Sequence, residues 1–95
     1  MHFELRYHPA VKTVDIPRID PKARERIRKA LEERLMTAPH EYGLPLRKNL
    51  KGYWKLRVGD YRVVFRIFGS EVYVFCIRHR KDVYEAMGER ISQHP

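Results

Sequence analysis

The sequence predicts one small α+β domain: a mostly antiparallel sheet of four strands with helices packed on one face. Three observations predict it. Segments 53–58, 61–68 and 72–78 are rich in β-branched and aromatic residues and are separated only by Gly59-Asp60 and Gly69-Ser70, the pattern of an antiparallel meander. Residues 21–36 carry Ala23, Ile27, Ala30, Leu31 and Leu35 at helical spacing. A chain of 95 residues holds one hydrophobic core and has no room for a second domain, so residues 1–95 form a single unit.

Taken in order, Phe3, Leu5 and Tyr7 alternate with Glu4, Arg6 and His8, which predicts a half-buried first strand, expected to run parallel to a C-terminal one. Val11, Val14 and Ile16 lie between Pro9 and Pro17, where one or two helical turns fit. Asp20 is placed to cap the long helix, and Pro21 suits its first position. Its outer face pairs Glu25 with Lys29, Arg28 with Glu32 and Lys29 with Glu33, each pair contributing about 0.2 to 0.5 kcal/mol. Segment 37–52 contains two prolines and two glycines and reads as a connection with little regular structure, anchored by Leu46 and Leu50. Arg47, Lys48 and Lys51 make that loop basic. Val83, Met87 and Ile91 then predict a final helix over 82–91.

The formal net charge of +8 and a pI near 9.9 attract polyanions, nucleic acid first, with solubility or an acidic protein partner as the bland readings. Cys76 is the one cysteine, so no intramolecular disulfide forms and the cytoplasm is the expected compartment. The N-terminus lacks the apolar run of a signal peptide, and no segment approaches the roughly 20 apolar residues of a membrane span. His2, His8, His40, His79 and His94 are scattered, Ser70 and Ser92 are the only serines, and no glycine-rich phosphate loop occurs. The sequence therefore predicts no metal centre, no cofactor and no serine nucleophile.

A two-residue loop at Gly59-Asp60 fixes the hairpin register and places Arg57 opposite Arg62. Trp54, Leu56, Val58, Tyr61, Val63, Phe65 and Ile67 then face the long helix. Tyr53, Lys55, Arg57, Arg62 and Arg66 face the other way and make a basic plate. Like charges directly opposite one another repel, whereas a phosphate between two guanidinium groups turns the repulsion into bidentate attraction, so Arg57 and Arg62 read as a phosphate clamp. Extending the register through Gly69-Ser70 puts Tyr73, Phe75 and Ile77 beside Arg66, Val64 and Arg62. That apolar share must be covered by the terminal helix, a partner protein or stacked bases.

The stretches GYWKLRVGDYRVVF and CIRHRKDVY resemble the RelE/ParE superfamily of toxin-antitoxin toxins, and the resemblance extends over nearly the whole chain. It implies a metal-independent endoribonuclease that cuts ribosome-bound mRNA and inhibits translation, acting in the cytoplasm and held in check by an antitoxin with an acidic or amphipathic segment. It places Arg62 on the transition-state phosphate and Lys55 as the base. The acid is left open among Arg78, His79 and Arg80, and Tyr84 orients or stacks on the RNA. Lys48, Lys51, Arg57, Arg66 and Arg78 are the expected RNA contacts. Tyr53 departs from the pattern, standing where the best-known ribosome-dependent members carry a second lysine. Two rival readings stay open: a ParE-like toxin that binds DNA gyrase, and a catalytically degenerate member that only binds its antitoxin.

Overall fold

The computed structural model describes residues 2–93; His94 lies outside them. The chain runs β1 (Glu4–Tyr7), two short helical turns (Val11–Asp15 and Ile16–Arg18), α1 (Pro21–Ala30), α2 (Pro39–Tyr42), β2 (Leu44–Pro45), β3 (Trp54–Val58), β4 (Tyr61–Phe68), β5 (Glu71–His79) and α3 (Val83–Gln93). The sheet has five strands, one more than expected, in the order β1-β5-β4-β3-β2. The addition is β2, a two-residue strand inside the connection read as irregular, where Leu44 and Pro45 pair with Lys55 and Trp54. β1 joins β5 in parallel, as its alternation and position predict.

Asp20 caps α1 by accepting from the Ala23 N–H at 3.0 Å, with Pro21 in the first turn. The helix continues beyond Ala30 through a wider π-helical turn, Leu31–Leu35. Its apolar stripe meets the sheet. Ile27, Ala30, Leu31 and Leu35 are buried against Leu56, Val58, Val63, Phe65, Val72, Val74 and Ile77, with Phe3, Val11 and Ile19 completing the core. Phe65 has no exposed surface and lies at the centre, and burial of a side chain of this kind contributes about 1.5 to 3 kcal/mol. On the outer face Arg28 pairs with both Glu25 and Glu32, whereas the predicted Lys29 pairs do not form among the described residues.

The two hairpins turn on glycine. Gly59 and Gly69 each adopt φ +59°, and neither Asp60 nor Ser70 is left-handed, the arrangement of a type II′ turn. The β3–β4 register is the predicted one, with Arg57 opposite Arg62 and Lys55 opposite Val64. β4–β5 begins as predicted, with Arg66 opposite Tyr73 and Phe65 opposite Val74, and then slips by one residue at a β-bulge. Beyond the bulge Val64 faces Cys76, Val63 faces Ile77 and Arg62 faces Arg78. The expected position of Ile77 beside Arg62 is therefore corrected: Ile77 joins the α1-side core, and Arg78 takes its place on the other face.

The terminal helix supplies the cover for that second face. Val83, Met87 and Ile91 pack with Leu46, Leu50, Val64, Phe75 and Cys76, leaving the ends of the face uncovered. Burial pushes the Cys76 thiol up to about 12, so it is inert at neutral pH. Among the described residues no helix is long and apolar enough to cross a membrane.

Candidate functional site

Past Val74 the outer edge of β5 has no strand beside it among the described residues, because β1 ends at Tyr7. Two of its backbone groups are bonded by side chains instead: the Ile77 N–H donates to Asp15 Oδ2 at 2.9 Å, and Arg90 Nη1 donates to the Phe75 carbonyl at 2.9 Å. Asp15 and Arg90 also bind each other through two bonds, at 2.8 and 2.9 Å. Both are buried, and the Asp15 carboxylate raises the already high pKa of the Arg90 guanidinium. This pair fastens the helical turn before α1 and the last turns of α3 to the strand. Arg78 extends the network, reaching Asp82 at 2.7 Å and lying 3.9 Å from Asp15.

With α3 held in this way, its first turn closes one side of an open cleft at the end of the second face. The cleft encloses about 450 Å³ and is lined by Lys55, Arg57, Arg62, Arg80, Lys81, Val83 and Tyr84. Five of these seven residues are cationic and none is acidic. β3 supplies Lys55 and Arg57, β4 supplies Arg62, and the turn after β5 supplies Arg80 and Lys81. That turn is tied to the first hairpin, because the Arg80 N–H donates to the Asp60 carbonyl at 2.7 Å.

Individual side chains are oriented without being neutralised. Lys55 Nζ donates to the Tyr84 hydroxyl at 3.0 Å and stands 5.8 Å from the ring centre. Arg62 Nη1 donates to the carbonyls of Gly59 and Tyr61, both at 2.9 Å, which curls the guanidinium over the hairpin turn. Carbonyl oxygens fix its direction but carry no net charge, so Arg62 stays available to an anion. Arg57 has no ion pair among the described residues. Arg80 has one exposed contact, with Asp60 at 3.6 Å, of the kind that contributes little. The arrangement is suited to an anionic ligand: several convergent donors, no competing carboxylate among the lining residues, and a tyrosine hydroxyl held beside the Lys55 nitrogen.

The structure brings together Lys55, Arg57, Arg62, Arg80 and Tyr84 of the residues singled out from sequence. It keeps others apart. His79 faces Tyr61 across the β4–β5 pair, on the α1 side, with ring centres 5.7 Å apart, and its Nδ1 accepts from the Lys81 N–H. Arg78 is beside Arg62 in register but is committed to Asp82. Lys48 and Lys51 lie in the loop before β3, where Lys48 adopts φ +58°. Arg66 sits at the other end of the face, stacked on Tyr53, which is itself packed against Phe75. Among the described residues no group of three or more His, Cys, Asp or Glu side chains is placed to hold a metal ion.

Sequence reasoning missed Asp15 and Arg90, although a signal existed. Asp15 falls four residues after Val11 on the buried side of its turns, and Arg90 follows Val83 and Met87 on the apolar side of α3. A lone anion and a lone cation on two apolar stripes must find each other. Lys81 was also missed, and as one more exposed lysine it carries no distinguishing mark.

Residues 9–84 match the family model described as ParE toxin of type II toxin-antitoxin system, parDE. Comparison with curated protein sequences finds no match. Among solved structures, the chain is similar to the toxin-antitoxin complex RelBE2 from Mycobacterium tuberculosis, at 25% identity with a TM-score of 0.78, over 86% of this chain and 95% of that one. It is similar to a mutant form of the E. coli toxin RelE in the free state, at 20% identity with a TM-score of 0.74, over 100% of both chains. It is also similar to the RelB-RelE antitoxin-toxin complex of Methanococcus jannaschii, at 20% identity with a TM-score of 0.68, over 85% of this chain and 96% of that one. The chain belongs to the ParE toxin family of type II toxin-antitoxin systems, within the RelE/ParE superfamily.

Proposed function

We propose that this toxin is a metal-independent endoribonuclease that cuts mRNA on the ribosome, in the cytoplasm, using the cationic cleft at the end of the sheet. The observation that carries the reading is the convergence of Lys55, Arg57, Arg62 and Arg80 on one 450 Å³ cleft with no acidic residue in its lining. A phosphodiester seated there gains charge as it reacts, and preorganised donors stabilise that charge more than they stabilise the ground state.

In this reading the ribose 2′-oxygen attacks the adjacent phosphorus, its proton passes to Lys55 after that side chain has released one of its own to solvent, and the bond to the 5′-oxygen breaks. Tyr84 holds the Lys55 nitrogen in place. Arg62, with Arg57 across from it, binds the non-bridging oxygens through the transition state. Arg80, in the turn after β5, lines the cleft whereas Arg78 and His79 at the end of β5 do not, and its role is to donate a hydrogen bond to the departing 5′-oxygen while solvent supplies the proton. Arg78 acts indirectly, by holding Asp82 and the start of α3. The partner expected to silence the toxin is an antitoxin segment with acidic side chains complementary to the cleft.

Primer extension on a translated mRNA tests this reading. Codon-phased cuts that require the purified toxin support it. No cuts, together with inhibition of gyrase supercoiling, would assign the chain to the gyrase-binding type; silence in both assays with tight antitoxin binding would assign it to the inactive type.

A further inference from the structure

We propose that the groove around Arg66, at the far end of the same sheet face, is a second RNA subsite that takes one unpaired base by stacking. This rests on the RNA-cutting reading of the cleft and extends it to how the strand is held. The groove, of about 660 Å³, includes His8, Tyr53, Arg66, Phe68, Tyr73 and Phe75 in its walls and no acidic residue.

Arg66 is the unusual member. Its guanidinium carbon lies 4.9 Å from the Tyr53 ring centre and 5.0 Å from that of Phe68, so it is held by two aromatic faces. It makes no hydrogen bond or ion pair among the described residues, and its Nε is enclosed with no partner. Phe68, 52% exposed, leaves a large ring open to water beside this cation. The two ring contacts contribute about 0.5 to 1 kcal/mol each, yet they leave the guanidinium N–H groups without an acceptor and much of the Phe68 ring in water. Together they match a nucleotide, with rings for the base and a cation for the phosphate, which is how single-stranded RNA is commonly held.

The placement suits one strand occupying both sites. Arg66 follows Arg62 by four residues on the same face of β4, a separation of about 13 Å at 3.3 Å per residue, which a short stretch of extended RNA covers. The loop before β3 approaches the same side chain, because a Cβ on Gly52 would lie 3.4 Å from Arg66 Nη2. An acidic peptide would satisfy Arg66 but leave the exposed ring wet, so RNA is the better fit.

The test uses the full chain and a fluorescent 2′-O-methyl RNA hexanucleotide, whose blocked hydroxyl prevents cleavage, beside a series in which one base at a time is removed. Anisotropy titrations should give roughly tenfold weaker binding of the intact probe by Arg66→Ala and by Phe68→Ala. The native protein should bind one abasic probe weaker by a similar factor, and Arg66→Ala should bind intact and abasic probes alike. Equal binding of intact and abasic probes by the native protein would overturn the subsite. So would native-like RNA affinity in both variants, including the case in which they lose only affinity for an antitoxin. The variant Arg62→Ala separates the two readings: weakened RNA binding there with no effect at Arg66 sinks the subsite alone. Full mRNA cutting by Arg62→Ala with base discrimination intact at Arg66 sinks the cleft mechanism and leaves the subsite standing.

Discussion

Two clusters of charge flank the end of β5 and are built on opposite rules. In the buried one, Asp15 and Arg90 offset one another through two bonds and close the open edge of the strand, and Arg78 links them to the partly exposed Asp82. In the exposed one, Lys55, Arg57, Arg62, Arg80 and Lys81 converge without a carboxylate in the cleft lining. Paired charge holds shape, and unpaired charge is free to bind. The β-bulge connects them, because the slip that sends Ile77 into the core brings Arg78 beside Arg62 and lets the buried network brace the cleft from behind.

Breaking the buried cluster should have the largest effect. Asp15→Ala leaves Arg90 buried without its partner and takes the acceptor from the Ile77 N–H, so urea denaturation should read a loss of about 3 to 5 kcal/mol. Changes in the cleft should spare stability and reduce chemistry. Lys55→Ala should lower single-turnover mRNA cutting by about 100-fold or more with an unchanged unfolding midpoint, as expected on removing a proton acceptor. Tyr84→Phe removes only the hydroxyl that accepts from Lys55, and the same assay should fall by about three- to tenfold, in line with roughly 0.5 to 1.5 kcal/mol for one hydrogen bond. The smallest effect sharpens the contrast most. Arg57→Gln removes a like charge opposite Arg62, so stability should rise by a few tenths of a kcal/mol while the salt dependence of RNA binding becomes shallower.

Legibility in the sequence followed how strongly each pattern constrains the fold. The β3–β4 register was readable because Gly59-Asp60 sets the loop and polar residues mark one face, so Arg57 opposite Arg62 could be read directly. The β4–β5 register was not. Residues 72–77 are apolar on both faces, so a one-residue slip carries no hydrophobic penalty, and nothing in Val74, Phe75 and Cys76 announces a bulge. The acid stayed open among Arg78, His79 and Arg80 because the slip was not legible; it puts His79 opposite Tyr61 and Arg78 beside Arg62, while Arg80 lines the cleft. The two-residue β2 lay hidden because Leu44-Pro45 is too short to show alternation.

The cleft's role turns on a single side chain. Arg62→Ala should keep the native circular dichroism spectrum and unfolding midpoint, since its guanidinium bonds only carbonyls of its own turn. In primer extension on ribosome-bound mRNA it should lose codon-phased cutting by at least 100-fold relative to the native toxin. Native-level cutting by a folded Arg62→Ala protein would contradict the account.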